Sequence, residues 1–141
     1  MDIKDCRVIH VDLVDYVTQR TDPMMLGWHR IIYPYSETEV MKIAHTTIKQ
    51  NFIECCLWEM YHDDPLGRKW LAPVTGYTQD FRAIIMRKTE PITDAEMPEK
   101  VPTFLDDVKS QNWGRMDDKI VCHDYGSLNF QLKTRLRKWR P

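Results

Sequence analysis

The sequence predicts an α+β fold: a single domain, residues 1–141, with one main amphipathic helix on one face of an antiparallel or mixed sheet of four to six strands and a β-hairpin at the C-terminal end. Three observations predict it. Short runs at 6–17, 28–35 and 80–88 are rich in β-branched, aromatic or other apolar residues that suit strands. A capping signature at Ser36 opens a stretch of helical period. Residues 128–137 alternate apolar with polar side chains, the period of a half-buried strand. With 43% apolar residues in 141, the chain can fill one core of ordinary size, and two would be cramped.

The first run, "CRVIHVDLVDYV", holds Val8, Ile9, Val11, Leu13, Val14 and Val17 and reads as a strand. "TQRTDPMMLG" reads as a loop because Asp22-Pro23 and Gly27 interrupt it. "WHRIIYPY" supplies a second strand, ended by Pro34, which has no ladder N–H to give. Ser36-Glu37-Thr38-Glu39 then has the form of a capping box, and Val40, Met41, Ala44, Ile48, Phe52 and Cys55 fall on one face of the helix it would start, with Lys42, Thr46, Lys49 and Gln50 opposite. "FIECCLWEMY" extends that helix or forms a strand. Asp64-Pro65-Leu66-Gly67 closes it with turn residues. "DFRAIIMRK" holds an unbroken apolar run, as in a strand covered on both faces.

Residues 89–118 differ in character. Pro91, Pro98 and Pro102 break them, and eight acids face only Lys100, Lys109 and Arg115. A connection of this length is a functional arm, a partly mobile segment, or a loop packed on the surface through Phe104, Leu105 and Trp113. Thr103 is placed to cap a short helix, and "NWGRMDD" reads as a turn. The C-terminal stretch "KIVCHDYGSLNFQLKTRLRKWRP" reads as a hairpin in which Lys133, Arg135 and Arg137 share one solvent face.

Composition excludes several function classes. No apolar run approaches the ~20 residues of a membrane helix, and residues 1–5 lack the apolar core of a secretion signal. A cytoplasmic protein is therefore expected. Cys6, Cys55, Cys56 and Cys122 form no C-x-x-C pair, and free buried thiols fit a reducing compartment. Neither G-x-G-x-x-G nor G-x-x-x-x-G-K-[ST] occurs, and there is no G-x-S-x-G elbow for a serine nucleophile, so no cofactor is expected.

Three catalytic patterns fall short. His45-Thr46-Thr47 resembles half of the paired His-x-Thr signature of the 2H phosphoesterases, but on a helix the two side chains point apart, and no second copy exists. Asp124 followed by Gln131-Leu132-Lys133 resembles the hairpin of PD-(D/E)xK nucleases with Gln131 in place of an acid, which weakens the metal site. His10, His62 and His123, each near an aspartate, carry imidazole and carboxylate suited to a metal, yet each pair is also ordinary turn chemistry.

Charge offers the remaining lead. Five of the 20 basic residues, and none of the 21 acids, lie in 133–141, so a mildly acidic body carries a basic end. Lys133, Arg135, Arg137, Lys138, Trp139 and Arg140 are the candidate partner-binding residues, the cations for an anionic surface and the indole for stacking. The same charges also protect an edge strand. The expectation is a non-enzymatic intracellular protein that binds a protein or nucleic acid through this face or the acidic 89–118 segment, with self-association between the two as a further route. A small metal-dependent phosphodiesterase or nuclease is the alternative.

Overall fold

The apolar run at 83–86 forms the central strand of the largest sheet, and every one of its side chains is fully buried. The structure, a computed structural model, describes residues 3–20, 22–61, 63–126 and 135–139. In chain order the elements are β1 (Arg7–Val8), α1 (Leu13–Thr18), β2 (Met25–Leu26), β3 (Arg30–Pro34), β4 (Glu39–Ala44), α2 (Lys49–Tyr61), α3 (Pro65–Arg68), β5 (Val74–Tyr77), β6 (Ala83–Arg87), β7 (Glu90–Pro91), β8 (Lys100–Pro102), β9 (Trp113–Met116), β10 (Lys119–Cys122) and β11 (Leu136–Lys138). The fold is α+β, as expected. A six-stranded mixed sheet runs β1-β5-β6-β4-β3-β2, with β1 parallel to β5 and the other neighbours antiparallel. Two smaller sheets, β10-β9-β7 and β11-β8, accompany it among the described residues.

Both faces of the large sheet are covered. Val40, Ile84 and Met86 pack in the cluster that includes Ile53, Leu57 and Trp58 of α2. Met41, Ile43, Ala83 and Ile85 point the other way, against Ile9, Val11, Leu13, Tyr16 and Val17. This double cover makes residues 40–44 apolar without a period of two, and it explains why the sequence there imitates a helix.

The helix expected from Ser36 is accordingly displaced. Ser36 to Thr38 make the β3–β4 turn, in which the amides of Tyr35 and Ser36 both donate to the Glu39 carbonyl, at 3.0 and 3.1 Å. The Glu39 carboxylate, which a capping box would turn back on Ser36, instead accepts from Arg7 at 2.8 Å and from the Thr75 hydroxyl. The main helix begins at Lys49, where Thr47 Oγ1 accepts from the Lys49 amide at 3.2 Å. His45 and Thr46 therefore sit in a strand-to-helix loop, not mid-helix. Their side chains fasten it, His45 Nε2 to the Gly27 carbonyl and Thr46 Oγ1 to His29 Nδ1.

Other expectations shift too. The strand expected at 6–17 divides into β1 and α1, because Asp12 caps α1 by accepting from the Asp15 amide at 3.1 Å. Asp64 to Gly67 do not simply turn, since α3 starts at Pro65. Residues 89–118 are woven into the core: Val101 and Phe104 are fully buried, Leu105 and Trp113 nearly so, and Phe104 stacks on Tyr61 with ring centroids 4.1 Å apart. No helix forms behind Thr103 before the short turn at Ser110–Asn112. The segment read as a turn, 112–118, carries β9, and only Asp117-Asp118 turn the chain into β10. A hairpin does lie near the C-terminal end, but β10 pairs back with β9, and β11 pairs with β8.

Gly114 is required where β9 meets β7: a Cβ there would lie 2.8 Å from the Glu90 carbonyl and would overlap the Thr89 side chain. No helix among the described residues is long and apolar enough to cross a membrane.

Because Phe104 belongs to the core, Phe104→Ala should cost ~3–5 kcal/mol in chemical denaturation. A loss below ~1 kcal/mol, the size of an ordinary surface substitution, would show that 89–118 is peripheral.

Candidate functional site

Four charged side chains meet under the large sheet, and each comes from a different part of the chain. β3 supplies Arg30, β4 supplies Lys42, α2 supplies Glu54, and the residues after β10 supply Asp124. Arg30, Lys42 and Glu54 are 5%, 2% and 0% exposed, whereas the Asp124 side chain is 42% exposed. Glu54 is the hub. Its Oε1 lies 2.5 Å from Arg30 Nη1 and 3.0 Å from Lys42 Nζ, and its Oε2 accepts from Arg30 Nη2 at 3.1 Å and from the Tyr125 amide at 2.9 Å. Arg30 Nη2 also reaches Asp124 Oδ1 at 3.1 Å, and Lys42 Nζ donates to the His123 carbonyl.

Asn51, one helical turn before Glu54, fixes α2 against the sheet. Its amide donates to the carbonyls of Lys42, Phe81 and Arg82 at 3.2, 2.9 and 3.2 Å, and its oxygen accepts from Arg30 Nη1 at 3.2 Å. Behind Asp124, the Tyr125 hydroxyl donates to the Ala72 carbonyl at 2.7 Å. Gly126 lies so close to α2 that a Cβ would come within 2.8 Å of Gln50 Cβ. Asp124-Tyr125-Gly126 is thus pinned to the helix that carries Glu54.

Burial and charge set the protonation states. Burial alone would raise the Glu54 carboxyl, but Arg30 and Lys42 outweigh it and hold it down at about 2. Burial pushes the Lys42 ammonium down, and Arg30 adds to that push against the opposing pull of Glu54. His123, half-buried and close to Lys42, is lowered to about 4, loss of solvation being the larger cause. Its Nδ1 pairs with Thr89 Oγ1 at 2.8 Å and its Nε2 with the Gln111 carbonyl at 2.9 Å, so its ring ties the start of 89–118 to the Ser110–Asn112 turn.

A cavity of about 300 Å³ opens above this cluster. Lys42, His123 and Asp124 line it together with the apolar Ile32, Val40, Met86, Ile92 and Trp113 and the polar Lys88, Thr89, Ser110 and Gln111. Apolar walls with a few converging polar groups are the usual make-up of small-molecule sites. The buried Trp113 indole N–H has no acceptor among the described residues. Next to the Ser110–Asn112 turn, Lys109 pairs with Asp107 at 3.3 Å, and the Asn112 amide donates to the Asp107 carbonyl at 2.8 Å. The His123 amide in turn donates to the Asn112 carbonyl at 2.8 Å, which fastens this loop beside Asp124.

The residues singled out from the sequence lie elsewhere. Arg135, Arg137 and Lys138 are exposed on or beside β11, and Arg137 donates to the Leu105 carbonyl at 3.0 Å. Trp139 is partly buried and packs against the main core. Lys133 and Arg140 lie outside the described residues, as do His62 and the Gln131-Leu132-Lys133 of the nuclease-like pattern. Among the described residues no three His, Cys, Asp or Glu side chains converge as a metal site. Cys55 and Cys122 are buried and Cys6 and Cys56 partly so, all as free thiols; Cys6 donates to the Val74 carbonyl at 2.9 Å.

Sequence reasoning passed over Lys42 and Glu54 because the misplaced helix put Lys42 on a solvent face. Two signals were available: a lysine amid the apolar run at 40–44, and an Asp-Tyr-Gly directly after the β-branched "KIVCH". In comparison with known proteins, the chain matches no family model, no curated protein and no solved structure at a significant level.

Glu54→Gln would leave two buried cations facing a neutral amide, and it should destabilise the fold by ~3–5 kcal/mol. Acid should act through the same group. An unfolded glutamate titrates near 4.5, and the native one near 2. The stabilisation is therefore complete above that upper value and declines as pH falls from there toward the lower one. Denaturation midpoints across this range check it: in Glu54→Gln the acid-dependent loss should shrink, and an undiminished loss would place the titration elsewhere.

Proposed function

We propose that the cavity binds a nucleoside triphosphate and that the protein transfers its terminal phosphoryl group to a hydroxyl acceptor. The observation that carries this reading is the Lys42–Glu54 ion pair at the cavity floor, beside an aspartate exposed to the same space. Protein kinases hold ATP by such a set: a strand lysine paired to a helix glutamate, a metal-binding aspartate in an Asp-Phe-Gly turn, and a loop of the form His-Arg-Asp-Leu-x-x-x-Asn. Here Asp124-Tyr125-Gly126 has the form of that turn, with Tyr in place of Phe. Asp107 and Asn112 keep the spacing of the loop, with Leu105-Asp106 in place of His-Arg.

The chemistry follows from the residues in place. Lys42, held by Glu54, offers a buried positive charge to phosphate oxygens, and its low exposure strengthens that attraction. Ile32, Val40, Met86 and Trp113 offer apolar walls to a base. Asp107, paired with Lys109, is the group to accept the acceptor hydroxyl's proton. Magnesium needs only one or two carboxylates plus the nucleotide's own phosphates, and the cavity-lining Asp124 would hold it, with Asn112 next to it in the fold through the bond of its carbonyl to the His123 amide. Bound there, it would neutralise charge between the β- and γ-phosphates. The chain departs from kinases in having no glycine-rich G-x-G-x-x-G loop; Gly27-Trp28-His29 turns between β2 and β3 instead.

The exposure of Arg135, Arg137 and Lys138 on or beside β11 supports a second and compatible reading, in which this strand docks an anionic macromolecule. Such binding weakens steeply with added salt, and salt-independent capture would argue against it.

Binding of a fluorescent ATP analogue with Mg²⁺ tests the main reading, followed by transfer of labelled γ-phosphate. Lys42→Met should weaken binding at least tenfold, equivalent to ~1.4 kcal/mol. Asp107→Asn should keep binding and lose transfer. Undetectable nucleotide binding by the wild type, or equal binding by Lys42→Met, would overturn the proposal.

A further inference from the structure

The fork of Arg30 is not accounted for by a lysine–glutamate pair alone. Its two terminal nitrogens make four contacts: Nη1 with Glu54 Oε1 at 2.5 Å and Asn51 Oδ1 at 3.2 Å, and Nη2 with Glu54 Oε2 and Asp124 Oδ1, each at 3.1 Å. A single planar group thereby bridges a fully buried carboxylate and a cavity-lining one. The bridge is rigid, because Arg30 is 5% exposed and anchored on β3, whose Arg30 faces Ala44 of β4. A lysine in its place, with one compact ammonium, cannot present two parallel bonds to Glu54 while reaching Asp124.

Resting on the nucleotide reading above, we propose that Arg30 is the positioning residue for Asp124: it holds Oδ1 so that the carboxylate meets a divalent cation in a fixed orientation, and so sets the cation affinity of the site. Asp124 needs such a partner. It follows β10 on a non-repetitive stretch, its side chain is 42% exposed, and among the described residues Arg30 is its side-chain hydrogen-bond partner. Carboxylates that bind metals are themselves oriented by hydrogen-bond donors, and loss of such a donor typically costs ~10–100-fold in metal affinity. Arg30 also links that orientation to α2 through Glu54, so the metal-binding carboxylate and the phosphate-binding lysine share one anchor.

The test is the Mg²⁺ concentration that half-saturates binding of a fluorescent ATP analogue, measured for wild type, Arg30→Lys, Asp124→Asn and the double variant, with thermal unfolding of each recorded alongside. Arg30→Lys should raise the half-saturating Mg²⁺ ~10–100-fold, change nucleotide affinity at saturating Mg²⁺ by far less, and have no further effect on the Mg²⁺ requirement in the Asp124→Asn background. An unchanged or lower Mg²⁺ requirement overturns the proposal, the lower value because it would make Arg30 a competitor of the cation. So does an equal shift with or without Asp124. Failure of the wild type to bind the analogue at any Mg²⁺ would instead sink the nucleotide reading itself. Should Arg30→Lys not fold, the side-chain ¹⁵N resonances of Arg30 in the wild type decide: protection retained when Mg²⁺ and nucleotide bind supports the assignment, and protection lost on binding overturns it.

Discussion

Burying the carboxylate of Glu54 is the constraint on which the rest of this structure depends. An ionised carboxylate removed from water carries a penalty of several kcal/mol unless its partners are well placed. Glu54 is fully buried and accepts from two cations and a backbone amide. Each partner lies on a different part of the chain, so the charge is satisfied only when β3, β4, α2 and the residues after β10 are all in register. Hydrophobic packing alone would tolerate small slips between these layers. A buried ion network does not, since any slip leaves a charge unpaired.

That dependence connects the fold to the site. Val40 and Met86, beside Lys42 in the sheet, are core residues on one side and cavity walls on the other. The 89–118 segment closes the cavity while its Val101, Phe104 and Trp113 fill the core. His123 then ties its start to the Ser110–Asn112 turn, through Thr89 and Gln111. Stability and the proposed binding chemistry therefore draw on the same side chains: Lys42 is 2% exposed and paired to Glu54, yet it lines the cavity.

Much of the fold was legible in the sequence. The strand at Arg30–Pro34 and its end at Pro34 followed from local chemistry, as did the doubly covered run at 83–86. The helix was legible in existence but not in position. Residues 40–44 are buried on both faces of the sheet, which erases the alternation that marks a strand, and Ser36 with Glu39 happened to satisfy a capping pattern whose carboxylate is used by Arg7 and Thr75. The site was hidden for the same reason. Lys42, placed on a solvated helix face, carried no message, and Glu54 stood in a stretch of undecided type. The basic C-terminal residues drew attention because charge runs are visible in one dimension, whereas a four-residue ion network spanning positions 30 to 124 is visible only in three.

The central claim is that this network serves a phosphate-bearing ligand and is more than a keystone of the core. Calorimetric unfolding across a series of MgATP concentrations at constant ionic strength tests it most directly. A ligand that binds only the native state raises stability as the logarithm of its concentration once the site is filled. The account predicts such a rise, with the Asp124→Asn protein responding far less. A melting temperature that does not move with MgATP would contradict it and leave the four charges a structural device alone.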